Sequence, residues 1–321
     1  MQDAPRSAAG SASSSIPWHG ESMAEVDENF GWIEDPAAVD AVVAGLPMPT
    51  WTDTPASAVD EASLPEEVLG WQAWQKASGT AWPELSQGSV GSCVSFGTSH
   101  ALMLTQAGEI IAGDAEETRI PSMEAIYGGS RVEIGGGKIS GDGSIGAWAA
   151  EWVRRWGVVP QGIHGAYDLS KYDQARCRDW GRKGVPTEIE EIAKRHPIGN
   201  CTLITSFSDA VSALGQGYGI QVASNRGFSL KRDSEGFAAP SGRWGHSMSF
   251  IGYRKAGKRP GLFIVNSWGF SSTTGPKSHP DAPASGWWVD AEVADGMLKQ
   301  RDSFAFSQFT GFPARSINWL I

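Results

Sequence analysis

The sequence predicts an α+β protein, with helices in the middle of the chain and strands toward its end. Segments with helical spacing and helix-capping residues lie between about residue 93 and about residue 215. From Gly219 onward the pattern changes to short apolar runs bounded by glycine and polar residues. Separate runs of helices and strands are typical of α+β folds rather than of alternating α/β folds.

The elements can be assigned in chain order from their start and stop signals. The longest helix begins at Cys93 and is expected to end near Ala107, before Gly108. A capping box formed by Thr187 and Glu190 marks the start of another helix. The other predicted helices cover residues 37–44, 121–127, 147–156 and 206–214, and the predicted strands cover residues 220–223, 244–253, 262–266, 286–289 and 302–312.

The first part of the chain differs in composition from the rest. Residues 1–70 hold thirteen acidic residues and only Arg6 as a basic one, which gives −12, whereas the whole chain carries −10. We therefore divide the chain into an acidic leader, residues 1–63, with a flexible arm over residues 1 to about 20, and a domain, residues 64–321. Three roles are open for the leader: to lie across a cleft as an inhibitor, to bind an assembly partner, or to extend the fold.

A glycine-rich turn leads into the longest helix. Gln87 and Gly88 are followed by Gly91, Ser92 and Cys93, so that the cysteine lies in the first turn of the helix behind a capping serine. The N–H groups and partial positive charge of a helix N-terminus stabilise a thiolate, and they can also bind an oxyanion. Gln87 could supply a second donor to that oxyanion. This pattern predicts a nucleophilic cysteine for acyl transfer.

Two predicted strands in the last third of the chain carry the partners that such a thiol needs. His246 lies near the start of one strand, and Asn266 lies at the end of the next. An imidazole can take the thiol proton, and an amide can hold the imidazole in one orientation. Cys93, His246 and Asn266 are therefore the candidate catalytic residues.

Three blocks of sequence resemble the signature blocks of the papain-like cysteine peptidases. They are Gln-Gly-x-x-Gly-Ser-Cys ending at Cys93, Gly-His-Ser-Met-Ser-Phe-Ile-Gly-Tyr starting at Gly245, and Asn-Ser-Trp-Gly starting at Asn266. The resemblance extends from about residue 64 to about residue 313. It implies a two-lobed fold, with a helical lobe at about residues 84–215, an antiparallel β-barrel-like lobe at about residues 216–313, and the active-site cleft between them.

The resemblance also implies which residues contact a substrate. Gly143 and Ser144 correspond to the glycine pair whose backbone binds an extended peptide, although Ser144 replaces the second glycine. Ile145, Trp244 and Gly245 correspond to positions near the main specificity pocket. Trp268 corresponds to a residue that shields the His–Asn contact from water.

Composition limits the remaining classes of site. Cys93, Cys177 and Cys201 are too few and too irregularly spaced for a disulfide framework or a zinc site. The glycines around Gly143 follow no strand, which argues against nucleotide binding. We expect no metal, no cofactor and no nucleic-acid or membrane partner. Val90 replaces a cysteine found in secreted relatives, and no signal peptide is evident, so we expect a cytoplasmic protein.

The function predicted from these observations is hydrolysis of peptide bonds in protein or peptide substrates, by an enzyme of bacterial or phage type. An alternative is a docking protein on the same scaffold, for example a virion-associated or assembly component whose acidic arm binds a partner. A third, acyl transfer by the same thiol, is disfavoured because such enzymes generally use aspartate where this chain has Asn266.

Overall fold

The structure of the chain, a computed structural model, describes residues 30–114, 117–255, 257 and 259–319. The predicted flexible arm lies outside the described residues. Helix α1 (Pro36–Val43) opens the described part, and three 3₁₀ turns follow at Trp51–Asp53, Pro55–Ala58 and Glu61–Ser63. Val39 and Trp51 are buried in two different hydrophobic clusters of the protein. Residues 30–63 are therefore packed onto the fold, and the division at residue 63 stays a prediction.

Helices predominate between residues 93 and 215, as predicted. Those of the described chain after α1 are α2 (Gly70–Ser78), α3 (Cys93–Ala112), α4 (Met123–Gly129), α5 (Gly146–Trp156), α6 (Gln174–Lys183), α7 (Thr187–Ala193), α8 (Phe207–Gly215) and α9 (Ala291–Leu298). A π-helical turn, Ser130–Ile134, continues α4, and the short strands β2 (Ile163–His164) and β3 (Tyr167–Asp168) form a hairpin. Helices α2, α6 and α9 were not predicted.

The predicted end of α3 near Ala107 is wrong, because the helix runs through Gly108 to Ala112. Gly108 packs against the backbone of Gly217, where an added Cβ would lie 2.6 Å from the carbonyl oxygen. Gly113, with φ of 101°, ends the helix instead. The glycine at position 108 thus permits close packing and does not terminate the helix.

The capping box predicted at Thr187 is also wrong. Pro186 occupies the N-cap position of α7, and Thr187 is already the first helical residue, with no side-chain cap at this end. A proline supplies no hydroxyl, but its fixed φ directs the chain into the first turn.

The other seven strands of the described chain form one antiparallel sheet. They are β1 (Glu67–Leu69), β4 (Asn200–Leu203), β5 (Ile220–Arg232), β6 (Ala238–Arg254), β7 (Gly261–Val265), β8 (Gly286–Asp290) and β9 (Asp302–Ser307). Their order is β4-β9-β5-β6-β7-β8, with β1 paired to β6. The outermost strands β4 and β8 are not joined, so the barrel-like lobe of the prediction is an open sheet.

Two hydrophobic clusters fill the space beside this sheet. One joins α3, α4, α5 and α7 to β4 and β9, with Trp152 and Phe304 among its buried residues. The other joins α2, α8 and α9 to the central strands, with Trp71 and Trp287 among its buried residues. Helix α3 contributes to both clusters, with Leu102 in the first and Met103 in the second. Within the described ranges, no helix has the length and apolar character needed to cross a bilayer.

Candidate active site

Cys93 is the first residue of α3, at the junction between the lobes. Ser92 holds the N-cap position as predicted, but its hydroxyl contacts Tyr172 at 3.1 Å and does not cap the helix. The Cys93 sulfur instead accepts a hydrogen bond from the backbone N–H of Ser247, with 3.4 Å between sulfur and nitrogen. Strand β6 is thereby held against the start of α3, and His246 precedes the donor residue directly.

His246 and Asn266 are hydrogen-bonded, with 2.7 Å between His246 Nε2 and Asn266 Oδ1. The register of β6 and β7 brings them together, since Ser249 pairs with Val265. Because an amide oxygen can only accept, Nε2 carries the hydrogen and Nδ1 presents its lone pair. Nδ1 has no hydrogen-bond partner in the described part of the chain. The arrangement leaves an imidazole nitrogen available as a base.

Three aromatic side chains surround this pair. The Trp268 ring lies 4.7 Å from the His246 ring, between centroids, and 5.1 Å from the Trp244 ring. Phe30 contacts both tryptophans, at 5.8 Å from Trp244 and 5.9 Å from Trp268. The Trp268 indole thus lies against the His246 ring, and its shielding role stays a prediction.

Gln87 is fully buried beside the site, and its amide is engaged by the protein. Its Nε2 donates to the carbonyl oxygen of Val90 at 2.9 Å, and its Oε1 accepts from the Ser267 hydroxyl at 2.7 Å. The oxyanion role of Gln87 stays a prediction.

The glycine-rich loop before α5 is held by Arg131, a residue that the sequence analysis did not single out. The buried guanidinium donates to the carbonyl oxygens of Gly141 (2.6 Å), Ile139 (3.0 Å) and Gly143. Gly143 has φ of 115°, which only glycine adopts without strain. The Ser144 hydroxyl bonds to the Ser130 hydroxyl at 2.8 Å and so does not compete for the Ser144 backbone groups.

A short stretch of the chain, residues 30–33, occupies the cleft. We call it the covering segment. Ser144 N donates to Gly31 O (2.7 Å), and Ile33 N donates to Ser144 O (3.0 Å), while Gly31 N and Trp32 N donate to Gly245 O (3.1 and 2.9 Å). The covering segment thus bridges the two lobes on the residues predicted to bind substrate. Cys93 and His246 are 0% exposed beneath it.

Burial changes the acid–base properties of both groups. It raises the pKa of the Cys93 thiol to about 12, although the backbone N–H groups of Ser247, Gly31 and Val94 act in the opposite direction. It lowers the pKa of His246 to about 4, although the bond to Asn266 favours the charged ring. At neutral pH, the covered thiol and imidazole are therefore both uncharged.

The predicted site residues lie together around one cleft. Cys93 and Gln87 come from the start of α3 and the turn before it, Ser144 and Gly245 face each other across the covering segment, and Ile145 is buried in the same cluster as Trp32. Sequence reasoning missed Arg131, the covering segment and Asp302. All three cysteines, within the residues described, are free thiols.

Solved structures with a similar fold are cysteine proteases and their precursors. Xylellain from Xylella fastidiosa, a cysteine protease, matches with a TM-score of 0.57 at 17% identity, over 88% of this chain and 96% of that chain. A procathepsin B from Trypanosoma congolense matches with a TM-score of 0.52 at 13% identity, over 86% and 90%. A digestive procathepsin L from Tenebrio molitor larval midgut matches with a TM-score of 0.50 at 16% identity, over 78% and 72%.

No family model and no curated protein matches the chain. At these identities, the similarity to the solved structures is one of fold. The predicted two-lobed, papain-like α+β fold is confirmed.

Proposed function

We propose that the chain is a cysteine peptidase that hydrolyses peptide bonds, with Cys93 as nucleophile and His246 as general acid and base. The observation that carries this proposal is the meeting of the two lobes at the sulfur: Ser247 N lies 3.4 Å from Cys93 Sγ, and the preceding His246 is oriented by Asn266 at 2.7 Å. A thiol, an imidazole with an open nitrogen and an orienting amide are the groups that acyl transfer by cysteine requires.

In the proposed reaction, Cys93 Sγ forms a bond to the carbonyl carbon of the substrate and its proton passes to His246 Nδ1. The tetrahedral intermediate collapses when the C–N bond breaks, and the leaving amine takes the proton from His246. Water then attacks the thioester, gives a proton to His246, and releases the acid while the thiol is restored. Asn266 would hold the imidazole in one orientation through Nε2, and Gln87 with the Cys93 N–H would stabilise the oxyanion.

An extended peptide is the substrate that the cleft accommodates best. The covering segment supports this, because an extended stretch of backbone already bonds to Ser144 on one side and Gly245 on the other. Gly143 and Ile145 are the sequence neighbours of Ser144, and Trp244 precedes Gly245. The Trp268 ring lies 5.1 Å from the Trp244 ring. A peptide that replaces the covering segment could use the same backbone donors and acceptors.

Labelling with a peptidyl vinyl sulfone, followed by peptide mapping, tests the proposal. We expect modification at Cys93 and none at Cys177 or Cys201, which are equally buried but belong to no such cluster. His246→Ala is expected to abolish labelling, while His164→Ala, the matched control at a half-buried histidine outside the cleft, leaves it intact.

The chain with Gly31→Ala is labelled in parallel. We expect this substitution to displace the covering segment, so that access of the reagent to Cys93 does not limit the result. If the folded chain is unlabelled in both forms, the docking-protein alternative replaces the peptidase.

A further inference from the structure

A cavity of about 620 Å³ lies among the helices, away from the cleft. Gln106 on α3, Arg119 in the loop after it, Val158 beyond α5 and His196 beyond α7 all line this cavity. Gln106 follows Cys93 by thirteen residues of the same helix, which separates the two by about 20 Å at about 1.5 Å per residue. Cavities of about 300–1,000 Å³ are of the size that binds small organic molecules.

Two side chains of the cavity have N–H groups to spare. Arg119 Nη1 lies 2.8 Å from His196 Nδ1. Because a guanidinium can only donate, Nδ1 is the acceptor, and His196 Nε2 carries the ring hydrogen. Gln106 is 3% exposed, and its Oε1 accepts from the backbone N–H of Arg119 at 2.7 Å. Its Nε2 bonds to nothing within the described residues, so a buried amide NH₂ group lacks an acceptor.

The charged groups of the cavity leave a positive excess. Arg195 also lines it, and its guanidinium forms no hydrogen bond or ion pair with the part of the chain that the structure describes. One carboxylate, that of Glu117, approaches Arg119 Nη2 at 2.9 Å, but its side chain is 80% exposed and therefore well screened. Burial lowers the pKa of His196, and the charges of Arg119 and Arg195 act in the same direction. The ring is therefore a neutral donor between two cations.

The rest of the lining includes apolar surface. Val158 is 4% exposed, and Pro160 and Pro197 add ring carbons beside it. A ligand that matches both parts has an anionic group for the donors and a compact organic body for the apolar wall. Phosphate suits the donors better than carboxylate, because it carries close to two negative charges and three terminal oxygens, which two guanidinium groups and two further N–H donors can share.

We propose that this cavity is a binding site for a small phosphate monoester. Arg119 and Arg195 bind the phosphate oxygens, and the N–H groups of Gln106 and His196 complete the set of donors. The organic part of the ligand lies against Val158. None of these residues takes part in the proposed peptide hydrolysis, so the inference is independent of that function.

Isothermal titration of the full chain with phenyl phosphate, in a phosphate-free buffer of constant ionic strength, tests the site. We expect saturable binding of about one molecule per chain. Inorganic phosphate, titrated in parallel, is expected to bind about tenfold more weakly, if the cavity wall covers about 60 Å² of the phenyl ring. Absence of saturable binding of phenyl phosphate overturns the site, and equal affinity for the two ligands overturns its assignment to a monoester.

Arg195→Gln tests the location of the phosphate without disturbing the fold, since this guanidinium has no bond to lose. Loss of a charged hydrogen bond predicts binding about ten- to 150-fold weaker. Lys194→Gln is the matched control: the neighbouring lysine carries the same charge, pairs with the exposed Glu191 at 2.6 Å and does not line the cavity. An equal loss of affinity in both variants would reveal a general effect of charge and overturn the proposal.

Gln106→Glu tests the buried amide. The carboxylate keeps an acceptor for the Arg119 N–H but replaces the NH₂ group with an oxygen that repels an anion, so binding of phenyl phosphate is expected to vanish. Unchanged affinity in the folded variant overturns the site. If this variant does not fold, proton NMR of the native chain decides: the His196 ring resonances must move as phenyl phosphate is added, and resonances that stay in place overturn the proposal.

Discussion

Substitution of Gly31 by alanine is expected to lift the covering segment from the cleft. A Cβ added at Gly31 would overlap the carbonyl group of Gly91 and lie 2.8 Å from its Cα. These are backbone atoms of the turn that leads into α3, so no side chain can rotate out of the way. The strain is relieved most easily by the covering segment, which is held by four backbone hydrogen bonds and by the contacts of Phe30.

The expected size of the effect follows from the cost of overpacking. Inserting a methyl group into a packed contact typically costs about 1–3 kcal/mol. If the cost falls on the covered state alone, the open fraction of the chain rises about five- to 150-fold, since 1.4 kcal/mol is a factor of ten. While the open state is rare, the rate at which a thiol reagent modifies Cys93 rises by the same factor.

The assay is the rate of Cys93 modification by a vinyl sulfone, followed by mass spectrometry on the intact chain. Gly45→Ala is the matched control, because Gly45 lies in the same leader and its added Cβ meets only the Val42 carbonyl, at an ordinary 3.4 Å. If Gly31→Ala leaves the rate unchanged in a folded chain, the covering segment does not limit access to Cys93, and the reasoning fails.

Three further predictions concern the fold and the loop. Gly108→Ala is expected to destabilise the chain by about 1–3 kcal/mol in denaturant unfolding, because of the contact with Gly217, although alanine is the better helix former. His100 is buried and its pKa is lowered to about 3, so the unfolded chain binds the proton first as pH falls below 6.5. From pH 7 to pH 5, His100→Gln should therefore lose about 2 kcal/mol less stability than the native chain. Arg131→Met is expected to raise KM for peptides more than it lowers kcat, because the loop carbonyls lose their donor.

Each of these has a result that would contradict it. A gain in stability for Gly108→Ala would mean that helix propensity outweighs the contact with Gly217. Equal pH dependence with and without His100 would mean that the ring is protonated in the folded chain. A fall in kcat alone for Arg131→Met would assign the arginine to the chemical step rather than to positioning of the loop.

The proposed catalytic residues stand out in the sequence because each lies in a short block with its own local pattern. Cys93 follows a glycine turn at a helix start, and His246 and Asn266 lie on strands that are adjacent in sequence. Antiparallel pairing of neighbouring strands is the commonest arrangement, so their proximity followed from sequence order. The helical and strand regions were predicted for the same reason: their signals are local.

The features that were missed depend on contacts between distant parts of the chain. Whether Gly108 ends a helix or permits close packing is decided by Gly217, more than one hundred residues away. The covering segment has no helix or strand signal in its own sequence. Its position is set by four backbone hydrogen bonds with Ser144 and Gly245, which are distant in sequence. Asp302 appears in the sequence as an ordinary acidic residue at a strand start. Its burial follows only from the packing of β9 against the N-terminal end of α5, where the N–H groups of Gly146 and Ala147 donate to its carboxylate.

The covering segment acts on the charge of the Cys93–His246 pair as well as on access to it. Burial is the largest cause of both the raised pKa of Cys93 and the lowered pKa of His246. A thiolate–imidazolium pair requires the proton to move from sulfur to ring, which dehydration of both groups opposes. A reagent small enough to pass beneath residues 30–33 would therefore meet a neutral thiol and react slowly. Displacing the segment admits water and substrate together, so reactivity and access increase in the same step.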